Sequence, residues 1–327
     1  MIQFRASSRF PMKNEGVPDN FDGSSFQNKA AGFEDPVQLP TNGDAARQWQ
    51  DANRSWWEKT PMRYDWRESI GSQPATKPYY DEIDRRFLES VRQYLPWKRR
   101  PFESLIPYSD IGHLDVLEIG VGQGTHAQLI APNSKSFTGI DLTQAACNST
   151  QKRFKLGAIN GKILQMDAEA MSFPDSYFDF IWSWGVIHHS SNTQRVLREM
   201  HRVLRSGGRA TVMVYYRSFL QYYLINGIAR GLLRREFWKI GGIHKINQAA
   251  TDGALARFFT VDDFSKLLGD LFVIEKVWIT GQKPDAIPLP NGRLKTFLIK
   301  HIPDAITRFV TDRLRLGLFL IVRIRKA

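Results

Sequence analysis

Apolar positions in the middle of the chain follow two alternating periods, one typical of strands and one typical of helices. Val116, Leu117 and Ile119 form a short apolar run of the kind that becomes a buried parallel strand. Residues 193–204 instead place their apolar side chains on one face of a predicted helix. Strands that alternate with helices indicate an α/β fold with a largely parallel sheet. Further strands are predicted at 136–141, 162–166, 178–183, 209–216, 272–280 and 316–325.

The rest of the chain divides by composition around this alternating core. Residues 1–45 are rich in Gly, Asn, Asp, Pro and Ser without a period, which predicts a mobile N-terminal extension. Residues 46–112 are rich in large aromatics and contain an amphipathic pattern, so we expect a helical cover that packs on the core or closes over a ligand. Residues 113–327 are the predicted core domain, with helical insertions near 217–257 and 283–315.

The first core strand ends in glycines at every second position, Gly120, Gly122 and Gly124. A strand, a glycine turn and a helix open a nucleotide-binding βαβ unit, because glycine lets the backbone bend and approach a ligand without a Cβ. Glu118 makes the pattern E-x-G-x-G-x-G, which differs from the dinucleotide fingerprint G-x-G-x-x-G. A carboxylate there suits an ammonium or hydroxyl groups and repels a pyrophosphate. The alternative is a tight turn that binds nothing.

Acidic residues follow the next two predicted strands. Asp141 ends the second strand, where a carboxylate accepts both hydroxyls of a ribose, in a dinucleotide enzyme as well as in others. Asp167 and Ala168 follow the third strand, and Asp167 is alternatively a helix cap ahead of Glu169. Neither acid alone identifies the ligand.

Several features in a fixed order resemble the class I S-adenosylmethionine-dependent methyltransferases, in particular the ubiquinone/menaquinone-type, small-molecule branch. The features span roughly 100 residues, and their agreement in order and spacing is more specific than any one of them. They are the glycine turn, the two acids, the stretch F-P-D-S-Y-F-D-F-I-W-S with V-I-H-H at 173–189, and the L-R-S-G-G turn at 204–208. Beyond Tyr216 the resemblance thins.

The resemblance implies a fold, a reaction and a set of cofactor-binding residues. The fold is a Rossmann-like sheet of seven strands with helices on both faces, whose last strand runs antiparallel between strands five and six. The reaction transfers a methyl group from S-adenosylmethionine to a small-molecule or lipid-like acceptor by in-line displacement, which leaves S-adenosylhomocysteine. The implied cofactor-binding residues are Glu118, Gly120, Gly122, Gly124, Asp141, Leu142, Asp167, Ala168 and Ser183.

Residues that would act on the acceptor have a weaker signature in the sequence, because methyl transfer needs a base only where the acceptor must lose a proton. His188 and His189 follow strand four and are the candidate bases, although they could instead hydrogen-bond the adjoining loop. Adjacent histidines point apart, so no metal is expected. Tyr215 and Tyr216 are expected to line the substrate pocket, and Tyr64 is the candidate to cover it.

Charge and cysteine content bear on partners and location. The net charge is +12, with basic residues concentrated at 217–245 and 293–327. These basic segments favour binding to an acidic lipid surface, to an anionic substrate or to nucleic acid. The alternative is that they are simply solvated. Cys147 is the single cysteine, so an internal disulfide is excluded and a reducing, cytoplasmic location is expected. Neither a secretory signal nor a membrane-spanning helix is expected, and peripheral contact with a membrane is left open.

Three other functions compete with small-molecule methylation. An RNA or protein methyltransferase would use the basic surface. A nicotinamide-dependent oxidoreductase would use the same fold, although Glu118 and the glycine spacing argue against it. A non-catalytic subunit would bind S-adenosylmethionine without turnover. The acceptor, the pathway within small-molecule biosynthesis and the oligomeric state are left open.

Overall fold

The computed structural model describes residues 29–64, 69–289 and 292–327. The strands are β1 (Asp115–Ile119), β2 (Ser136–Asp141), β3 (Lys162–Gln165), β4 (Phe178–Trp184), β5 (Leu204–Tyr216), β6 (Phe258–Phe259), β7 (Phe272–Thr280) and β8 (Phe319–Lys326). The α-helices are α1 (Gly43–Lys59), α2 (Lys77–Tyr94), α3 (Ala127–Ile130), α4 (Gln144–Gly157), α5 (Thr193–Val203), α6 (Glu236–Ile240), α7 (Ile243–Ala249), α8 (Val261–Leu268), α9 (Arg293–His301) and α10 (Asp304–Arg308). Two π-helices span Phe219–Leu233 and Phe309–Arg313.

The strands form one sheet in the order β3-β2-β1-β4-β5-β8-β7. Strands β1 to β5 run parallel to one another, and β8 runs antiparallel between β5 and β7. The predicted α/β fold and the position of its antiparallel last strand are therefore confirmed. Strand β6 is an addition to the predicted seven, and it pairs with the end of β5 through Phe258 and Phe259. Two residues are too short a run for periodicity to reveal.

Helices cover both faces of the sheet, and the two faces have separate cores. On one face, Ile181 of β4 packs with Val196 of α5 and Phe264 of α8. On the other face, Trp182 packs with Val91 of α2 in a second cluster. Alternate residues of a strand point to opposite faces, so the continuous apolar run of β4 supplies both cores.

The sheet topology creates a crevice at one edge. β1 lies between β2 and β4, and the chain winds outward from it in both directions. Ile119 pairs with Ile140 of β2 and with Ser183 of β4, so the three strands end at nearly the same level. In open α/β sheets this point, beyond the carboxyl ends of the strands, is where ligands bind.

Part of the predicted N-terminal extension is packed on this core. Residues 1–28 of the extension lie outside the described residues. Ala30 and Phe33 are buried with Trp49 of α1 and with Leu255. The Ala30 amide also donates to the Ala254 carbonyl at 2.8 Å. The division into extension, cover and core stays a prediction.

Helix α8 begins with a reciprocal cap, which gives a test of local stability. Thr260 Oγ1 accepts from the Asp263 amide, and the Asp263 carboxylate accepts from the Thr260 amide, both at 3.0 Å. Thr260→Ala removes one of these bonds, and we expect it to lower the free energy of unfolding by about 1 kcal/mol in urea denaturation. Thr260→Ser retains the hydroxyl and is the control. An equal loss in both variants would show that the methyl group, and not the cap, stabilises the helix.

Candidate active site

A cavity of about 1190 Å³ opens at the carboxyl edge of the sheet. Its walls come from the glycine turn, from the ends of β2, β3, β4 and β5, from α1 and α2, and from the two insertions. Nine of the sequence-predicted site residues line it: Gly120, Gly122, Asp141, Leu142, Asp167, Ala168, His189, Tyr64 and Tyr215. The sheet topology brings these positions together from segments that are far apart in the chain.

The three glycines of the turn have positive φ, but they are needed for different reasons. A Cβ at Gly120 would lie 2.2 Å from Val186 Cγ2, and one at Gly124 would lie 3.1 Å from side-chain atoms of Thr150. A Cβ at Gly122 would meet no atom within 4 Å among the described residues. Gly120 and Gly124 therefore serve close packing, whereas Gly122 borders open space in the cavity. Gly124 is not part of the cavity lining.

Asp141 holds the glycine turn and faces the cavity at the same time. Its carboxylate accepts from the Gly122 amide at 3.1 Å, and from the Thr143 amide and hydroxyl at 2.9 and 2.8 Å. Burial raises the pKa of this carboxyl. A carboxylate has about four lone-pair sites, so capacity for a ligand hydroxyl is left after these three bonds.

Glu118 is buried beside the turn rather than in the cavity wall. Burial and the Asp141 charge raise its pKa well above the usual range. His126 Nδ1 lies 4.0 Å from its carboxylate, but burial lowers the pKa of His126 to about 3, so the contact is not an ion pair at neutral pH. Among the described residues, Glu118 Oε2 has no hydrogen-bond partner. Its predicted contact with a ligand ammonium stays a prediction.

Ser183 is likewise fully buried, and it is not part of the cavity lining. Its hydroxyl oxygen has no hydrogen-bond partner within the described ranges. The three residues after it, Trp184, Gly185 and Val186, line the cavity in its place. The predicted contact between Ser183 and the methionine moiety therefore stays a prediction.

Asp167 also lines the cavity, where its carboxylate links two elements. Its Oδ1 accepts from the Glu169 amide at 2.8 Å within a turn, and not at the start of the helix that the capping alternative predicts. The same oxygen accepts from Gln50 Nε2 of α1 at 2.9 Å, and Gln50 Oε1 accepts from the Ser191 amide at 3.2 Å. Gln50 thus ties the predicted cover to two loops at the sheet edge. Sequence patterns gave no indication of this role.

The two histidines differ in their position relative to the cavity. His189 lines it, and its Nδ1 lies 2.7 Å from the Leu255 carbonyl, so Nδ1 carries the proton and Nε2 is the acceptor. Burial lowers the pKa of His189 to about 4, which leaves the ring neutral at pH 7. His188 is fully buried outside the lining, with its ring centroid 4.0 Å from that of Tyr215. A base at this site would therefore be His189.

The three tyrosines predicted for the substrate pocket also differ in their position relative to the cavity. Tyr215 and Tyr64 line the cavity, whereas Tyr216 does not, and the Tyr216 amide donates to the Leu318 carbonyl at 2.7 Å. Tyr64 packs against Phe87 of α2, with ring centroids 5.0 Å apart. Burial raises the pKa of both Tyr64 and Tyr215 above the usual range, so both hydroxyls stay protonated.

Lys29 and Asp252 add two charged groups to the wall near His189, and both are absent from the sequence-based prediction. Lys29 Nζ donates to the carbonyls of Thr251 and Gly253 at 2.6 and 2.7 Å. Lys29 and Asp252 both line the cavity. Burial lowers the pKa of Lys29 to about 8 and raises that of Asp252.

Arg257 fixes the N-terminal segment to this wall. Its guanidinium is fully buried and donates to the carbonyls of Gln38 and Ser191, each at 2.6 Å, and also to that of Ser190. Burial lowers its pKa to about 9, so it remains charged at neutral pH. Within the described ranges, no group of three or more His, Cys, Asp or Glu side chains is placed to hold a metal ion.

Comparison with known proteins assigns the segment that contains this edge of the sheet. A family model described as "Methyltransferase domain" matches residues 117–212, which run from β1 through most of β5. Residues 117–212 are a methyltransferase domain. This methyltransferase domain contains the glycine turn, both acids and the two histidines.

Curated relatives match about a third of the chain. The phthiotriol/phenolphthiotriol dimycocerosates methyltransferase of Mycobacterium tuberculosis is 35% identical over 101 residues, which are 30% of this chain and 37% of that protein. The fatty-acid O-methyltransferase of Mycolicibacterium smegmatis is 30% identical over 109 residues, 33% of this chain and 39% of that protein. The matched segments thus span less than half of the relatives' own length.

Two solved structures are similar to this chain in the path of their backbones. The YcgJ protein from Bacillus subtilis is 17% identical, with a TM-score of 0.45 over 67% of this chain and 96% of its own. The [4+2]-cyclase SpnF is 16% identical, with a TM-score of 0.47 over 90% of this chain and 99% of its own.

Proposed function

We propose that the protein transfers a methyl group from S-adenosylmethionine to a small-molecule or lipid-like acceptor, which leaves S-adenosylhomocysteine. The observation that carries the proposal is the open space at Gly122, which borders the same cavity as Asp141 and Asp167. The resemblance of the glycine turn and the two acids to class I methyltransferases supports assigning these positions to the donor. The names of the curated relatives, which include lipid methyltransferases, favour a lipid-like acceptor over RNA or protein.

The electrostatics of the cavity fit a ligand that carries positive charge. Burial raises the pKa of Asp141 and of Glu118, which are coupled through their charges. A cation beside them would favour their ionised forms, and both the sulfonium and the ammonium of S-adenosylmethionine have that charge. The ribose hydroxyls suit the remaining acceptor capacity of the Asp141 carboxylate.

The volume of the cavity suits two reactants at once. At about 1190 Å³ it exceeds the usual range for a single small ligand, roughly 300–1,000 Å³. We assign the end with Gly122, Asp141 and Asp167 to the donor, and the end with His189 and Asp252 to the acceptor. Gln50 and Trp57 of α1 also line the cavity, which supports the proposal that residues 46–112 cover it.

The chemistry that the chain must supply is then mainly orientation. S-adenosylmethionine, when bound, supplies a methyl group already activated on a sulfonium. The chain holds the two reactants in line and keeps water out, so that the transfer proceeds within one bound complex. His189 Nε2 would accept the proton, or the hydrogen bond, of an acceptor hydroxyl or amine.

Removal of the Asp141 carboxylate tests the donor end. We expect Asp141→Ala to weaken S-adenosylmethionine binding roughly 100-fold in isothermal titration calorimetry, because it loses charge-assisted hydrogen bonds to the ligand and frees the turn. Asp115→Ala is the matched control, since Asp115 also accepts several hydrogen bonds but begins β1 at the opposite edge of the sheet. Binding that is equal in both variants would contradict the site assignment.

A further inference from the structure

The π-helix Phe219–Leu233 presents a continuous apolar face to solvent. Its exposed fractions range from 37% at Leu224 to 77% at Leu233. Exposed apolar side chains on this helix are Phe219, Tyr223, Leu224, Ile228, Leu232 and Leu233. Single exposed apolar residues are ordinary, whereas a contiguous set marks an interaction surface.

The opposite face of this π-helix is fixed to the protein, which determines the orientation of the exposed face. Asn226 Nδ2 donates to Asn247 Oδ1 of α7 at 2.7 Å, and both side chains are buried. Gly231 lies against the ring of Phe237, where a Cβ would approach to 2.3 Å. The inward face carries Asn226, Gly227 and Gly231 together with the buried Leu220 and Tyr222, whereas the six exposed apolar residues face outward, where an ordinary surface helix is polar.

Exposed charge next to this face is positive. Arg234, Arg235 and Lys239 follow the π-helix and are exposed. Glu236, the single acid between 217 and 245, is buried and paired with Arg230 at 2.9 Å. Trp238 is 74% exposed among these cations. We call the exposed residues of 219–239 the basic apolar surface.

The second insertion repeats this composition near the same corner of the sheet. Leu294 and Phe297 of α9 are more than half exposed, on a helix that also carries Lys300. The insertions meet where they leave the sheet, because Ser218 Oγ donates to the Leu316 carbonyl at 2.7 Å. Arg230 of the π-helix lines the cavity, so the basic apolar surface lies close to the cavity rim.

We propose that the basic apolar surface docks on an anionic lipid bilayer. Outward apolar side chains would enter the boundary between headgroups and acyl chains, the cations would contact acidic headgroups, and Trp238 would lie at the interface. The docking that we propose is peripheral. None of the helices in the described ranges is long and apolar enough to cross a bilayer. A second copy fits less well, since a two-fold interface would set Arg234 and Arg235 near their own counterparts.

Vesicle flotation with the full chain tests this proposal, and it does not depend on methyl transfer. We expect the protein to float with vesicles of phosphatidylcholine and phosphatidylglycerol, to bind pure phosphatidylcholine vesicles much more weakly, and to be released by 1 M NaCl. Ile228→Glu/Leu232→Glu should abolish flotation. Arg234→Ala/Arg235→Ala keeps the apolar face and should weaken binding roughly 30-fold.

Leu156→Glu is the matched control, because Leu156 is a similarly exposed apolar residue on α4. Flotation of this variant should equal that of the unmodified protein. Equal binding to both vesicle types, or flotation that survives Ile228→Glu/Leu232→Glu, would overturn the proposal. A dimer in analytical ultracentrifugation that this double variant dissociates would assign the surface to a second copy and would also overturn it.

Discussion

Gly122→Val is expected to abolish S-adenosylmethionine binding while the protein remains folded. A Cβ at this position meets no atom within 4 Å among the described residues, so the added side chain would extend into the cavity rather than into the core. The positive φ of 51° adds backbone strain on the order of 1–3 kcal/mol, which a core of this size tolerates. We expect the affinity in isothermal titration calorimetry to fall at least 100-fold, because valine occupies space that the donor would fill.

Gly207→Val is the control for backbone strain. Gly207 also has a positive φ, 72°, and open space around its Cβ position, but it lies in the turn-like start of β5, away from the cavity lining. The two variants should lose similar stability in thermal unfolding, and only Gly122→Val should lose the donor. If Gly207→Val lost binding to the same extent, general destabilisation would explain both results. Gly120→Val is unsuitable for this test because its side chain would clash with Val186.

The meeting of Gly122, Asp141 and Asp167 at one cavity was predictable because these residues lie at or just beyond the ends of parallel strands. Gly122, Asp141 and Asp167 each come directly after an apolar run, and the carboxyl ends of parallel strands meet at one edge. The direction of each side chain around the glycine turn was less predictable. Glu118 lies inside β1, one residue before its end, so its side chain is buried beside the sheet rather than at the edge.

The residues that surround His189 could not be predicted, because contacts between distant parts of the chain place them. Lys29 bonds a carbonyl 222 positions away, and Arg257 joins segments that are 219 and 66 positions distant. No local periodicity or sequence motif indicates contacts between residues so far apart in the chain. Residues 1–45 looked too polar for a packed core, yet Phe33 is buried and stacks edge-on with Trp49 at 5.3 Å. A few aromatic anchors and one buried arginine are enough to pack a polar segment.

The basic surface illustrates a different limit of sequence reasoning. The excess of Lys and Arg at 217–245 was evident, but a charge count does not say where the apolar residues between them point. Periodicity also misleads at this segment, since a π-helix turns more slowly than an α-helix and distributes its side chains differently. Only the packing of Asn226 and Gly231 against α7 and Phe237 reveals that the apolar side faces outward.

His189→Ala is expected to reduce kcat roughly 100-fold and to leave the affinity for S-adenosylmethionine within about twofold. His189 lines the acceptor end of the cavity, and the Leu255 carbonyl fixes its tautomer, so that Nε2 is the free acceptor. Its pKa is lowered to about 4 by burial, so the neutral form is already complete at pH 6. Titration of His189 should therefore leave kcat constant between pH 6 and 8, and activity should fall only as the pH approaches 4 and the ring becomes protonated.

His189→Asn separates the two roles that this histidine could have. An asparagine amide can occupy the position of Nδ1 and donate to the Leu255 carbonyl, but it has no atom at the position of Nε2. If Nε2 acts on the acceptor, His189→Asn should be as slow as His189→Ala in an assay of S-adenosylhomocysteine release. If the ring only holds the loop at Leu255, asparagine should restore most of the activity, and the assignment of His189 to proton transfer would be wrong.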